Sequence, residues 1–339
     1  MSGSVFRRAV EELGAVAGEP LQAETIRFRA LGTSMDSPFR AAEAAGAALA
    51  AGGRLAGELA VRRGGAAGDV CLDSRHAEGS LLSFAYLRFE DPGRGIAPRI
   101  AGEDRTAAAG FYPAADGRWI YLHSGFPHNT RGLLELLGVA DDRAAVARAV
   151  AARPAAELEQ DIGDAGLCGA MVRSAAEWDD SDAGRLLGSR PVVEVIQTGD
   201  SDPEPFPTDG GRPLDGIKVL DLTRILAGPT CARTLASYGA NALRVGAAHL
   251  PSVPLFTVDT GFGKRACDLD LRRREDVTRL RRLVKQTDVF SQGYRSGAME
   301  RLGFGVGPVT EARPGIVYVS INCYGHEGLW RPRPGWEQL

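Results

Sequence analysis

The stretch from Pro213 to Val245 constrains the fold more than any other part of the chain. An apolar, β-branched run from Ile217 to Leu222 reads as a strand passing through a core. The run breaks at Thr223-Arg224, and Ala227-Gly228-Pro229 restarts the chain as a helix that ends near Gly239. A second strand, Ala242-Leu-Arg-Val245, follows. Strand, turn, helix and strand in that order form one unit of a parallel α/β sheet. The turn exposes backbone N–H groups at a helix N-terminus, a natural cradle for phosphate. It lacks G-x-G-x-x-G, so the dinucleotide fingerprint is not met.

The rest of the chain is organised differently. Residues 1–30 read as helical and amphipathic, without a motif. Residues 41–63 form an Ala-rich helix, closed by Gly64-Gly-Ala-Ala-Gly68. Small side chains on most of its faces predict burial against other elements, so arginine at Ala48 or Ala51 is expected to be costly. Asp69–Asp73 reads as a short strand and Ser74–Leu82 as a helix. Phe111–His123 holds two strands around an Asp116-Gly117 turn, a strong hairpin signal. Thr130–Gly138 is a helix with a glycine stop, two more lie near 141–152 and 154–165, and Ser174-Ala-Ala-Glu177 is a capping box. Residues 197–212 read as a linker. The expected class is α/β: a Rossmann-like parallel sheet with helices in the C-terminal half, and helical and small α+β regions in the N-terminal half. The expected segments are a helical region 1–105, a small α+β domain 106–196, the linker 197–212 and the Rossmann-like domain 213–339.

With 339 residues and a net charge of −3, the chain has no nucleic-acid or polybasic membrane footprint. No apolar run approaches the roughly 20 residues of a membrane helix, and Met1-Ser-Gly-Ser-Val-Phe-Arg-Arg has no apolar signal core. Five scattered cysteines without C-x-x-C read as reduced thiols of a cytoplasmic protein. His123 and His128 show no metal-ligand pairing, so no metal is expected.

Several blocks after residue 213 carry a resemblance. They are Leu220-Asp-Leu-Thr-Arg-Ile-Leu-Ala-Gly-Pro229, Tyr238-Gly-Ala-Asn-Ala-Leu-Arg-Val245 and Gly263-Lys-Arg-Ala-Cys-Asp-Leu-Asp-Leu271. Asp288-Val-Phe-Ser-Gln-Gly-Tyr-Arg-Ser-Gly297, Arg301-Leu-Gly-Phe304 and Pro314-Gly-Ile-Val-Tyr-Val-Ser320 continue them. Their order and spacing resemble family III CoA transferases, of the formyl-CoA and carnitine CoA-transferase kind. The segment Phe111-Tyr-x-x-x-Asp-Gly-x-Trp-Ile120, with the elements before it, resembles the back half of a family III unit. Gly166–Trp178 resembles the family's later small-domain segment. Back half therefore precedes front half, which implies a tandem or permuted member. The family's catalytic aspartate falls downstream of residue 339, so the resemblance implies a C-terminally incomplete one.

The resemblance implies an acyl-CoA transferase that moves CoA between carboxylic acids through a carboxylate anhydride. CoA and acyl-CoA would be substrates, with no permanently bound cofactor, and the protein would be a homodimer, interlocked as subunits of the family are. Counting back along the N-terminal half, the position equivalent to the nucleophile falls at or near Glu43; its other reading is a solvent-facing glutamate. Asp36 is a weaker candidate and reads better as a helix cap. Arg224, Ile225, Leu226 and Ala227 match the loop that meets the CoA pantetheine and thioester, with Leu226 where the family often has Gln. Lys264 and Arg265, placed just before a strand, match basic residues that meet CoA phosphates. Gly293, Tyr294 and Arg295 match a loop that stacks on adenine and meets phosphate or base, and Arg301 a phosphate-contacting position or a helix-end cation. Tyr324, Gly325 and His326 match a glycine-rich loop beside the substrate. Trp336 stands where a racemase of this fold needs a histidine, which argues against racemase chemistry.

Two other classes remain. One is a non-catalytic CoA-binding paralogue or subunit that needs a partner chain. The other is an NAD-type dehydrogenase, disfavoured because no acid ends the second strand, where Val245 is followed by Gly246.

Overall fold

The computed structural model describes residues 2–16, 18, 21, 25–32, 35, 37–66, 68–90, 106–206 and 211–336. Asp36 lies outside the described residues. The chain divides into two compact units: Met1–Gly95 with Pro191–Gln292 and Val306–Ser320, and Ile96–Arg190 with Gly293–Gly305 and Ile321–Leu339.

The first unit begins with α1 (Ser2–Val16), β1 (Ile26–Arg29), α2 (Ala41–Arg62), β2 (Val70–Asp73) and α3 (Ser74–Leu81). The helical reading of residues 1–30 is corrected here: the helix stops at Val16 and a strand follows. The reason is the alternation Ile26-Arg-Phe-Arg29, which turns Ile26 and Phe28 inward and Arg27 and Arg29 outward. β1 pairs in parallel with β2. Phe28 stacks on Phe6 of α1 with ring centroids 4.2 Å apart. On α2, Gly46 lets that ring approach, since a Cβ there would lie 2.8 Å from it.

The expectation that α2 is buried on most faces is also corrected. Ala42, Gly46, Ala47, Ala50, Ala51 and Ala56 are buried, whereas Ala44, Ala48 and Leu49 are exposed. Alanine is permissive enough to line both a packed face and a wet one, so its abundance gave no orientation.

The second unit carries β3 (Gly110–Pro113), β4 (Trp119–Leu122), α4 (Pro127–Leu137), α5 (Arg143–Ala151), α6 (Ala155–Asp164) and β5 (Gly169–Met171). α7 (Ala175–Asp179) and α8 (Asp182–Gly188) follow. The three strands form an antiparallel sheet with β4 in the middle. Tyr112, Ile120 and Leu122 pack there against Leu133, Val146, Leu158 and Ile162. The expected capping box is present on α7, with Ser174 and Glu177 exchanging bonds.

The chain then returns to the first unit. β6 (Lys218–Asp221), α9 (Ala227–Ser237), β7 (Asn241–Gly246), α10 (Pro254–Gly261), β8 (Lys264–Asp268), α11 (Arg274–Val284) and β9 (Val289–Gln292) lead to α12 (Ala298–Arg301) of the second unit. α13 (Val306–Ala312) and β10 (Val317–Ser320) close the first. The five strands are parallel in the order β10-β9-β6-β7-β8, so the α/β expectation holds. Lys264 and Arg265 do not precede β8 but open it. The chain leaves β6 towards β7 and later returns to pair β9 on the other side of β6. Ligands of open sheets bind outside the carboxyl ends of strands at such a reversal. Among the described residues no helix is long and apolar enough to cross a membrane.

The two faces of α2 make unequal demands on substitution. Ala51→Arg is expected to cost about 2 kcal/mol or more through overpacking and buried charge. Ala48→Arg is expected to stay within about 0.5 kcal/mol of the parent. Urea melts of the two variants check the assignment.

Candidate functional site

The turn between β6 and α9 is built from below. Asp221 ends β6 fully buried, and the Lys264 ammonium, also buried on β8, pairs with it at 2.8 Å. Lys264 donates a second bond of 2.7 Å to the Pro229 carbonyl. Asp221 Oδ1 accepts from the Thr223 backbone N–H at 3.0 Å and from the Thr223 hydroxyl. Burial pulls the Lys264 ammonium below the ordinary lysine range, against the opposing pull of Asp221.

Above this network the backbone is strained. Ile225 has φ of 72°, the left-handed region that a β-branched side chain avoids. Such a residue costs on the order of 1–3 kcal/mol and persists only where its surroundings over-determine it. Three residues on, Gly228 packs against Thr223 so closely that a Cβ would lie 2.3 Å from the threonine Cβ. The helix is therefore drawn tightly onto the strand end.

A cleft of about 230 Å³ opens at this edge of the sheet, lined by Thr223, Arg224 and Ile225 from the turn and by Arg244, Gly246 and Asp268 from β7 and β8. The segment Ala247–Val253 contributes further to its wall. Arg224 donates to the Pro251 carbonyl and so ties the turn to that segment. The Arg244 backbone pairs with β6 and β8, and its guanidinium makes no hydrogen bond or ion pair among the described residues. Gly246 brings the backbone close to Asp268, whose carboxylate lies 2.8 Å from where a Cβ would sit.

The remaining expected residues fall in several places. Leu226 caps α9 half-buried, and Ala227, its first residue, is exposed. Arg265 is exposed and bonded to Asn241 Oδ1 at 2.8 Å. Glu43, in the first turn of α2, is buried rather than solvent-facing; it accepts from Arg40 at 3.3 Å and lies outside the cleft lining. The other expected residues belong to the second unit. Gly293 and Arg295 are exposed and Tyr294 is half-buried. Arg301 is the exposed last residue of α12. Tyr324 is buried edge-on against Trp330, and that burial pushes its hydroxyl up to about 12. Gly325 has φ of 73°, and His326 Nε2 pairs with Asn322 Nδ2 at 3.0 Å.

Sequence reasoning missed the Asp221–Lys264 pair and the contribution of Arg244 and Asp268. The one available signal was Asp221 itself, a charge within an apolar strand, which requires a partner if buried.

The profile of CoA-transferase family III matches residues 214–339, the span that carries the sheet, the turn and the cleft. This segment belongs to CoA-transferase family III. An acyl-CoA transferase of Gibberella moniliformis is 37% identical over 253 residues, 68% of this chain and 44% of that protein. Acetyl-coenzyme A transferase nodX of Hypoxylon pulicicidum is 33% identical over 262 residues, 70% of this chain and 44% of that protein. The chain thus spans less than half the length of these two relatives. A CAIB/BAIF family protein of known structure from Brucella suis aligns over 38% of each chain at 31% identity, with a TM-score of 0.35.

In the family III segment, Gly228 is a strict steric requirement. Gly228→Ala is expected to destabilise by about 1–3 kcal/mol through overpacking against Thr223. Guanidinium unfolding of the variant checks this, and an unchanged midpoint would mean that helix and strand end are not in contact.

Proposed function

We propose that the chain binds an acyl-CoA thioester at the carboxyl edge of β6 and β7 and serves in moving CoA between carboxylic acids. The observation that carries the reading is the strained Ile225 turn, with Arg224 and Arg244 lining its cleft, inside a segment of CoA-transferase family III. The cations and the N-terminal N–H groups of α9 suit the CoA phosphates. The turn suits the pantetheine arm and its thioester. In the transfer, a carboxylate oxygen attacks the thioester carbonyl carbon and the C–S bond breaks. A mixed anhydride forms and the thiolate leaves, held by the protein until it attacks the next acyl group. In the family resemblance Tyr294, Arg295 and Arg301 match nucleotide contacts and Tyr324, Gly325 and His326 a substrate loop, which keeps them as candidates in their own right. The family resemblance and five free cysteines support a homodimer working in the cytoplasm.

A second reading is favoured by Glu43. Its carboxylate is buried in an ion pair and absent from the cleft lining, so the chain fits a CoA-binding subunit that receives its nucleophile from a partner. Glu43→Gln separates the two. Loss of acyl exchange with intact CoA binding supports a nucleophile in this chain, and an unchanged rate supports the partner.

Titration calorimetry tests CoA binding itself. Arg224→Ala and Arg244→Ala are each expected to weaken CoA by roughly 1.5–3 kcal/mol, the worth of a charge-assisted bond. Parental affinity in both variants removes the cleft from consideration.

A further inference from the structure

We infer that Lys264 is a positioning residue, which with Asp221 clamps both ends of the Thr223–Pro229 turn from inside the sheet and makes no contact with phosphate. The inference rests on the reading that CoA lies against this turn, and it changes the role that the basic pair Lys264-Arg265 suggests.

The geometry leaves the ammonium no route to a ligand. The Lys264 side chain is 1% exposed and that of Asp221 is fully buried. Two of the three ammonium protons are committed, to Asp221 Oδ2 at 2.8 Å and to the Pro229 carbonyl at 2.7 Å. Lys264 is absent from the cleft lining, whereas Thr223 and Pro229 both belong to it. A strongly hydrated ammonium is buried only where fixed acceptors replace its water. Here those acceptors belong to the strand end and the first turn of α9.

The bonds also converge on the ends of one short segment. Through Asp221 Oδ1, Lys264 is linked to the N–H and hydroxyl of Thr223, where the chain enters the turn. Directly, it holds Pro229, where the chain has become helix. Between these anchors lie Arg224, the strained Ile225 and Gly228. The strain at Ile225 needs anchors on both sides, and the clamp supplies them. Arg265, one residue on, points to the opposite face and is exposed.

Ligands with and without phosphate separate positioning from phosphate contact. Affinities of CoA and of pantetheine are measured for the parent, Lys264→Met and the double variant Asp221→Leu/Lys264→Met. Removing one partner of a buried pair endangers folding, whereas replacing both by apolar groups is often neutral. The double variant therefore keeps the fold while freeing both ends of the turn. Positioning predicts that the folded double variant loses affinity by roughly tenfold or more, and by the same factor for both ligands. Lys264→Met, at temperatures where it is folded, follows the same pattern. A loss confined to CoA, with a shallower salt dependence, overturns the inference in favour of a phosphate contact. Parental affinity for both ligands in the folded double variant overturns it as well. Failure of the parent to bind CoA defeats the functional reading instead, and is seen before any variant is made.

Discussion

The ion pair between Lys264 and Asp221 is the interaction on which the site depends. Two full charges sit inside a parallel sheet, where an uncompensated charge is costly and a pair is tolerated only with its remaining bonding groups satisfied. Thr223 and the Pro229 carbonyl satisfy them. The demand of burial is thereby converted into a fixed backbone path, from the end of β6 into α9. The features that mark the turn follow from that path: the strain at Ile225 and the tight approach of Gly228.

The sheet order gives this path its place. Because β6 is central, with β7 on one side and β9 on the other, its carboxyl end lies where the strand order reverses. The N-terminal segment of the same unit is fastened to the helices that follow. Ser83 and Arg233 both bond Asp259, at 2.8 and 2.6 Å, which joins the 3-10 turn Ser83–Tyr86 after α3 to α9 and α10. The first unit thus holds the turn both from within the sheet and from its flank.

Much of the C-terminal half was legible because its elements obey simple patterns. The apolar run of β6, the Ala-Gly-Pro helix start and the short second strand each have one good reading, and together they require a parallel sheet. The Asp116-Gly117 hairpin and the Ser174 capping box were legible for the same local reasons. The site was less so. Lys264-Arg265 reads as a cationic pair from sequence, but strand alternation sends the two side chains to opposite faces, and only one of them reaches water. Glu43 could be aligned but not oriented, because an Ala-rich helix gives no sign of which face is wet. Arg244 sits opposite Asp221 through the pairing of β6 with β7, and Asp268 reaches the cleft only through the pairing of β7 with β8, a contact no local pattern encodes.

Hydrogen exchange of the backbone amides, with and without saturating CoA, tests the central claim most directly. If the family III segment binds CoA at the strained turn, bound ligand slows exchange across residues 222–230 and in the cleft wall at 246–253. Unchanged exchange in both segments at saturation, or protection confined to other parts of the chain, would contradict the account.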